Sequence, residues 1–229
     1  MVKFSVLVPC YNEAERGREF LPELAEYLSR MRCFELILIN DGSDDSTMEL
    51  LDSVKAKHAF CHVLDLKRNQ GKGGALREGV FKAEGDRIIF IDADGSIAPD
   101  QLPKMLELLE HHKFVTATRY MQKYRIEQPI SRVFMGLMFN LYVEMLFRLG
   151  IKDVLCGFKG FHSDTARSLF KDLISKRWVF DVELFYRAKK MGINVKRFSI
   201  SWVHRGGSKI TLIDPFKMAW QLFLLRLRL

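Results

Sequence analysis

Apolar residues along this chain occur in short runs that alternate with longer amphipathic segments. Five runs, at residues 4–8, 34–39, 62–66, 87–91 and 114–117, have the length and composition of β-strands. The segments between them are long enough for crossover helices, and this alternation is typical of βαβ units. Ser46-Thr47-Met48-Glu49 has a capping-box pattern and predicts a helix start after the second strand. We therefore predict an α/β fold with a mostly parallel sheet flanked by helices.

The second half contains two strongly apolar helical segments, residues 130–149 and 215–229. The first fits either a buried core helix or a helix whose apolar face meets a bilayer. The second mixes aromatic and aliphatic residues with late cations, as an interfacial helix or a docked terminal helix would. Neither approaches the ~20 apolar residues that a membrane span needs. We divide the chain into a main domain, 1–211, and an amphipathic, membrane-interfacial tail, 212–229.

Composition indicates a globular protein with an excess of positive charge. Of 229 residues 48% are hydrophobic, and 36 Lys and Arg against 28 Asp and Glu give a net charge of +8. Nucleic acid, anionic lipid and phosphorylated substrates would all suit that charge. The cysteines are dispersed without a C-x-x-C pair, which fits thiols in a reducing compartment. The first residues lack a signal-peptide pattern, so we expect a cytoplasmic protein.

The clearest chemical signal is Asp92-Ala93-Asp94, which directly follows the apolar run at residues 88–91. Ligands of open α/β sheets collect beyond the carboxyl ends of the strands. Mg²⁺ and Mn²⁺ prefer hard oxygen ligands, and Mg²⁺ is often held by one or two carboxylates together with substrate phosphates. The motif therefore indicates a metal–diphosphate site. The alternative is a structural Asp-Gly turn whose first Asp caps the next helix.

Two further polar loops follow predicted strands at the same edge of the sheet. Pro9-Cys10-Tyr11-Asn12-Glu13 follows the first strand, and residues 40–45 follow the second. In these loops Asp41 can accept a base N–H and Tyr11 can stack on a base. One such loop would be ordinary turn chemistry, but three acidic loops at one edge favour a nucleotide site.

Residues 70–79 form a glycine-rich basic segment, Gln-Gly-Lys-Gly-Gly-Ala-Leu-Arg-Glu-Gly. The segment matches neither the P-loop spacing nor the dinucleotide fingerprint. It predicts a basic loop that opens a helix and can approach a nucleotide, or a glycine-rich turn packed under the sheet.

These motifs together resemble family 2 glycosyltransferases of the GT-A fold, a Rossmann-like architecture. In the second half, residues 153–161, 177–184 and 207–209 resemble the polyprenyl-phosphate hexosyltransferases, most closely the dolichyl-phosphate β-glucosyltransferases, with the mannose synthases as near relatives. The resemblance runs from Val2 to about Thr211. It implies an inverting transfer of a hexose from a nucleoside diphosphate sugar to a polyprenyl monophosphate, with residues 1–211 as the catalytic domain.

The resemblance also implies roles for individual residues. Asp92 and Asp94 would position Mg²⁺ or Mn²⁺ and form the catalytic pair. Independently of the resemblance, Asp181 and Glu183 lie one residue apart in an otherwise apolar segment and are candidate sugar contacts. The alternative is that they place negative charge at a helix N-terminus. The acceptor phosphate would meet Arg119, Arg132 and Ser208. The nucleotide sugar would meet a larger set, namely Pro9, Tyr11, Glu13, Asp41, Lys72, Gly73, Asp92, Ala93, Asp94, Arg205 and Lys209.

Two positions depart from the pattern of the relatives. Ser96 stands where mannose synthases usually carry a glutamine, which favours the glucosyl branch and UDP-glucose as the donor. Asn40 stands where many relatives have the first of two aspartates, so Asp41 alone is expected to contact the base. Relatives also carry membrane segments. We expect none in the residues of this sequence, and so we expect peripheral attachment at the cytoplasmic face of a membrane.

Other functions compete with this hypothesis. GDP-mannose as donor, or a soluble or polysaccharide acceptor, would keep the fold and change the substrate. A module that binds anionic lipid or nucleic acid would use the positive charge without catalysis. Nucleic acid is disfavoured, because three acidic loops would repel a phosphate backbone and no recognised nucleic-acid motif is present.

Overall fold

The structure is a computed structural model that describes residues 3–119, 130–151, 153–203 and 214–229, of which 130–135 and 214–216 are described by their backbone. Its strands are β1 Phe4–Cys10, β2 Phe34–Asn40, β3 Cys61–Asp65, β4 Arg87–Phe90, β5 Phe114–Thr118, β6 Lys159–His162 and β7 Val195–Ser199. Its helices are α1 Gly17–Ser29, α2 Thr47–Lys55, α3 Lys72–Lys82, α4 Leu102–Leu109, α5 Ile130–Phe147, α6 Ser163–Lys171, α7 Phe180–Lys190 and α8 Asp214–Arg228.

The described strands form one mostly parallel sheet, as predicted, in the order β3-β2-β1-β4-β6-β5-β7. All five predicted strands are confirmed within two residues. The parallel pairs are β1 with β2 and β4, β2 with β3, and β5 with β7. β6 runs antiparallel between β4 and β5. The sequence pattern missed β6 and β7.

Two apolar clusters cover the two faces of the sheet. One joins α3, α6, α7 and α8 to alternate residues of the central strands, including Leu7 and Phe90. The other joins α1, α2 and α4 to the intervening residues, including Val8 and Ile89. Both faces of β1 and β4 are therefore buried, which explains why these strands read as continuous apolar runs rather than as alternating ones.

α2 begins where the capping-box pattern predicted, but another residue caps it. Ser46 is the N-cap and makes no side-chain cap hydrogen bond. Instead Asp45 Oδ1 accepts the Thr47 backbone N–H at 3.0 Å and the Thr47 hydroxyl. A carboxylate is also favoured at this position because it faces the positive end of the helix dipole.

The apolar segments 130–149 and 215–229 are helices, α5 and α8, and they pack against each other. α8 buries Met218, Leu222 and Leu225 in the same cluster that contains Val143 of α5. The terminal helix is thus docked on the main domain. Within the described residues, no helix combines the length and hydropathy of a membrane span.

Candidate active site

The predicted polar loops lie at one edge of the sheet. β4 and β2 both pair in parallel with β1, so the carboxyl ends of these strands are adjacent. Asp41 follows β2, and Asp92 and Asp94 follow β4. The register pairs Cys10 with Asn40 at the ends of β1 and β2. These loops therefore lie together at the edge of the sheet where the strand ends predict them.

Asp92 is paired with the first residue of α3. Its Oδ1 lies 2.5 Å from Lys72 Nζ, and roughly a third of the Asp92 side chain is exposed. Burial by itself would lower the pKa of Lys72, but the carboxylates of Asp92, Asp181 and Asp94 outweigh it and raise that pKa. Lys72 is therefore a protonated cation at neutral pH, at the position where the donor's phosphates are expected.

Asp94 is held by a residue that the sequence analysis missed. Arg16 Nη2 donates to Asp94 Oδ2 at 2.8 Å, and Arg16 Nη1 lies 3.4 Å from Glu13 Oε1. The other Asp94 oxygen accepts the backbone N–H of Ser96 at 2.9 Å. Arg16 directly precedes α1 and follows Glu13 by three residues, a spacing at which side chains on a helical turn can pair. That spacing is the sequence signal that could have identified Arg16.

The donor set at the strand end fits a hard divalent cation. Asp92 and Asp94 offer carboxylate oxygens, the ligand type that Mg²⁺ and Mn²⁺ prefer. A Cβ at Gly157 would overlap the Asp92 carboxylate, so the Asp92 side chain can occupy its position because residue 157 is a glycine. In the described part of the chain no group of three or more His, Cys, Asp or Glu could hold a metal. Two carboxylates suit a metal that also takes water and substrate phosphate oxygens.

The loop after β1 is clamped to the loop after β2. Asn12 adopts a positive φ of 52°, and its side chain exchanges hydrogen bonds with Asp44. Its backbone N–H donates to Ser43 Oγ at 3.1 Å. Tyr11 is 37% exposed at this edge, accessible to a base, while Pro9 lies within β1.

Asp41 anchors the glycine-rich loop. It is 2% exposed, and its Oδ1 accepts the Gln70 backbone N–H at 2.7 Å. Burial raises the pKa of Asp41, opposed by N–H groups of Gln70 and Gly71 and by the charge of Arg177. The carboxylate predicted to contact a base thus also fixes the loop that precedes α3.

The glycines of this loop serve close packing. A Cβ at Gly73 would meet Phe180 Cβ at 2.6 Å, and one at Gly71 would meet the Lys176 carbonyl at 2.5 Å. Gly71 also has a φ of +80°. The segment thus forms a turn packed against residues 175–180, which places Lys72 beside Asp92. The predicted nucleotide contact of Gly73 stays a prediction.

Asp181 pairs with a buried lysine that the sequence analysis did not single out. Lys159 Nζ donates to Asp181 Oδ1 at 2.7 Å, and the side chains are 0% and 5% exposed. Lys159 Nζ also donates to the Cys156 carbonyl and lies over the Phe90 and Phe185 rings. Burial raises the pKa of Asp181, and the charges of Lys159 and Lys72 oppose that rise. The four charges Asp92, Lys72, Asp181 and Lys159 alternate in sign.

Glu183, the other candidate sugar contact, supports a neighbouring loop. Its side chain is fully buried and pairs with Arg187 at 2.7 Å. Its two oxygens accept the backbone N–H groups of Ile174 and Ser175. Both oxygens of Glu183 already accept hydrogen bonds, and the side chain is buried. These two features do not favour a contact with the sugar.

Arg119, expected at the acceptor phosphate, lies at the end of β5 in a fork with Asp153. Arg119 Nε and Nη2 donate to the Asp153 carboxylate at 3.1 and 2.7 Å. The guanidinium also lies 5.6 Å from the Trp202 ring centroid. Asp153 is buried, whereas the Arg119 side chain is 23% exposed. Arg119 is thus oriented by a buried partner.

Residues 153–159 connect these features. Asp153 orients Arg119, Gly157 backs Asp92, and Lys159 pairs with Asp181. The remaining predicted phosphate contacts lie outside the described residues: Arg205, Ser208 and Lys209, and the side chain of Arg132, whose backbone belongs to α5.

Comparison with protein families gives a match over most of the chain. A model described as glycosyl transferase family 2 matches residues 5–178. Among curated proteins, the dolichyl-phosphate beta-glucosyltransferase of Dictyostelium discoideum is 33% identical, covering 96% of this chain and 72% of its own length. That of Mus musculus is 34% identical, covering 99% of this chain and 75% of its own length.

Solved structures share the fold. Glucosyl-3-phosphoglycerate synthase from Mycobacterium tuberculosis, in complex with Mn²⁺, UDP and glucosyl-3-phosphoglycerate, aligns with a TM-score of 0.73 at 19% identity. The alignment covers 98% of this chain and 80% of that one. The same enzyme has also been solved with Mg²⁺ and UDP. This likeness confirms the GT-A architecture predicted from the sequence.

Proposed function

This chain belongs to glycosyl transferase family 2, and we propose that it transfers glucose from UDP-glucose to the phosphate of dolichol or another polyprenol, with inversion at the sugar. The observation that carries the proposal is the pair of carboxylates after β4, Asp92 and Asp94, which face the cations Lys72 and Arg16. The named activity of the Dictyostelium and mouse relatives supports the glucosyl donor and the lipid acceptor.

The proposed reaction does not require a general base from the protein. A phosphate monoester has a second pKa near ~6, so the acceptor oxygen is already anionic at neutral pH. That oxygen attacks C1 of glucose, the bond from C1 to the diphosphate oxygen breaks, and its electron pair leaves with UDP. The task of the residues is to hold two anions in line.

Charge stabilisation at the donor side falls to the strand-end residues. Asp92 and Asp94 would hold Mg²⁺ or Mn²⁺, and a bound divalent cation would neutralise the charge that develops on the leaving diphosphate. Lys72 contributes a fixed positive charge at the start of α3, next to the donor's phosphates. Tyr11 offers a ring to the base, and Asp41 keeps the loop before Lys72 in place.

Arg119 is the acceptor-side cation in this proposal. Its guanidinium is held by Asp153 and Trp202 with part of its surface exposed, which suits recognition of a phosphate by a planar donor group. Arg132 and Ser208 complete the proposed acceptor contacts, and Arg205 and Lys209 the donor contacts.

The proposal includes a membrane surface as the place of reaction, because a polyprenyl chain stays in the bilayer. α5 exposes Leu137, Met138, Leu141 and Met145, and α8 exposes Trp220, Phe223 and Leu227, each at least 41% accessible. We call these seven side chains the apolar face. Each helix thus carries several exposed apolar side chains. Exposed apolar patches are typical of interaction sites, and residues 212–229 would serve as the interfacial tail. Four free thiols, with Cys33 exposed, suit the cytoplasmic side.

The decisive test is transfer of radiolabelled sugar to polyprenyl phosphate in detergent with Mg²⁺, using UDP-glucose and GDP-mannose in parallel. We expect organic-extractable label from UDP-glucose, reduced roughly 100-fold in Asp94→Asn because a transition-state charge contact is lost. Asp100→Asn, an exposed aspartate a few residues further on, is the matched control and should keep wild-type activity.

The other results would overturn separate parts of the proposal. Label from GDP-mannose alone would refute the donor. Sugar release without lipid-linked label would refute the acceptor. Full activity in Asp94→Asn would refute the metal pair.

A further inference from the structure

A cavity lies between the C-terminal ends of α5 and α7 and the last turns of α8. It is open to solvent and has a volume of about 740 Å³, and its lining includes Arg148, Lys189, Lys190, Arg226, Tyr186 and Met145. We call it the basic pocket. Four of its lining side chains are cations, and no acidic residue lines it in the part of the chain that the structure describes.

Neutral groups contact three of these four cations. Arg226 Nε donates to the Leu146 carbonyl at 3.0 Å, and Lys189 Nζ donates to the Arg148 carbonyl. Lys190 Nζ and Arg226 Cζ lie 5.7 and 5.8 Å from the Tyr186 ring centroid. None of the ion pairs among the described residues includes a cation of the basic pocket. The pocket therefore combines four cations with no protein counter-ion among the described residues.

This arrangement favours an anion. Like charges at close range repel, and an entering phosphate relieves that repulsion. Arginine can bind phosphate oxygens through two parallel N–H groups, and lysine adds a mobile point charge. The nearest acid in sequence, Glu144, is one turn before Arg148, and its carboxylate accepts the Gly150 N–H at 2.8 Å.

The surroundings of the basic pocket identify the source of the phosphate. Met145 lines the pocket and is 66% exposed as the last residue of the apolar face on α5. A cationic cavity that continues into exposed apolar surface matches a ligand with a phosphate on an apolar body. Clusters of lysine and arginine on amphipathic helices are attracted to anionic lipid headgroups, as are basic pockets between transmembrane helices.

The basic pocket is separate from the candidate active site. α7 carries Asp181 in its first turn and Lys190 at its last residue. Nine residues of helix at ~1.5 Å each place them roughly 13 Å apart along the axis. The transfer site and the basic pocket are therefore at opposite ends of α7.

We propose that the basic pocket binds the headgroup phosphate of an anionic membrane lipid that is not a substrate. Together with the apolar face, it would fix how the protein sits on the bilayer. Of the proposed function, this inference requires only that the protein works at a membrane surface. It does not depend on the identity of the donor or the acceptor.

The test compares vesicle binding of Lys189→Gln/Lys190→Gln with Lys55→Gln/Lys57→Gln, an equal loss of exposed charge on and just after α2. The vesicles are phosphatidylcholine with or without about one fifth phosphatidylserine. We expect the pocket variant to bind anionic vesicles roughly ten- to thirty-fold more weakly at low salt, from two lost headgroup contacts. The control pair should change binding less than about two-fold.

Equal losses in both pairs, or no loss in the pocket variant, would overturn the proposal. Competition by inorganic phosphate at millimolar concentration, with equal binding to neutral and anionic vesicles, would also overturn it by indicating a free-anion site. Glucosyl transfer in detergent is measured on the same proteins and should be unchanged, because these lysines lie outside the transfer site. A protein without transferase activity would still give a result in the vesicle assay.

Discussion

The carboxylate of Asp153 accepts three hydrogen bonds from Arg119, one from the backbone N–H at 2.8 Å and two from the guanidinium. Arg119, which we propose as the acceptor-side cation, is therefore positioned by a buried residue 34 positions further along the chain. A phosphate that binds Arg119 meets a side chain whose orientation is already set, which reduces the entropy lost on binding.

Asp153→Asn should weaken the acceptor step. The amide keeps the shape but places an N–H where a carboxylate oxygen accepted one, and a hydrogen bond to a charged group contributes roughly 1.5–3 kcal/mol. Because Arg119 is partly exposed, we expect about a ten-fold rise in KM for polyprenyl phosphate and no change in KM for UDP-glucose. Steady-state kinetics with each substrate varied would measure both.

Glu26→Gln is the matched control, because it removes the carboxylate from an exposed ion pair in which Glu26 lies 3.4 Å from Arg30. It should leave both constants at wild-type values. If Asp153→Asn raised the KM of the donor as much as that of the acceptor, the assignment of Arg119 to the acceptor side would be wrong.

Gly157→Ala should disable Asp92 without unfolding the protein. The added Cβ would overlap the Asp92 carboxylate, so that side chain must move by about 1 Å, a displacement that typically costs roughly 100-fold in rate. Radiolabel transfer would fall accordingly, while the urea midpoint would change little.

Gly192→Ala controls for the loss of a glycine elsewhere. Gly192 has a φ of +67°, and a Cβ added there would have no atom within 4 Å. This variant should lose about 1–2 kcal/mol of stability from the left-handed backbone and keep full activity. Normal turnover in Gly157→Ala would mean that the position of Asp92 does not limit the reaction.

The sequence predicted the parts of the fold that depend on local pattern. The parallel strands are apolar runs buried on both faces, so each is recognisable alone. β6 reads Lys-Gly-Phe-His, and its lysine enters the core because Asp181 lies opposite it, a partner 22 positions away. β7, an edge strand with exposed Lys196 and Arg197, has too few apolar positions to stand out.

The same distinction applies to the candidate site. Asp41, Asp92 and Asp94 were predictable because they end strands that pair in parallel. The contact of Gly157 with Asp92 depends on β6 entering beside β4, and pattern alone does not indicate that neighbour. Residues 153–159 were indicated only by resemblance, and their contacts give the physical reason for their composition.

Phe223→Ser should weaken binding to neutral phosphatidylcholine vesicles. Phe223 is 41% exposed on α8 and stacks on Trp220, with ring centroids 5.7 Å apart. Full burial of such a side chain contributes roughly 1.5–3 kcal/mol, so partial insertion would give a loss of about five- to ten-fold. Phe81→Ser, at 45% exposure on α3, is the matched control. Equal losses in the two variants would rule out the apolar face as the membrane contact.

Lys159→Met should destabilise the protein in a pH-dependent manner. Removing the cation leaves the Asp181 carboxylate buried without its partner, at a cost of about 3–5 kcal/mol at neutral pH. Burial already raises the folded-state pKa of Asp181, and the substitution raises it further. A group with a raised folded pKa contributes its full stability below the unfolded pKa and loses it as the pH rises through the folded pKa. The difference in unfolding free energy between variant and wild type should therefore narrow as the pH falls from about 8 to about 5, measured by urea unfolding.

Lys159→Met/Asp181→Leu is the control that removes both charges, and it should recover much of the lost stability at neutral pH. If the difference between Lys159→Met and wild type stayed constant with pH, the packing of the lysine stem, and not the charge of Asp181, would account for the cost.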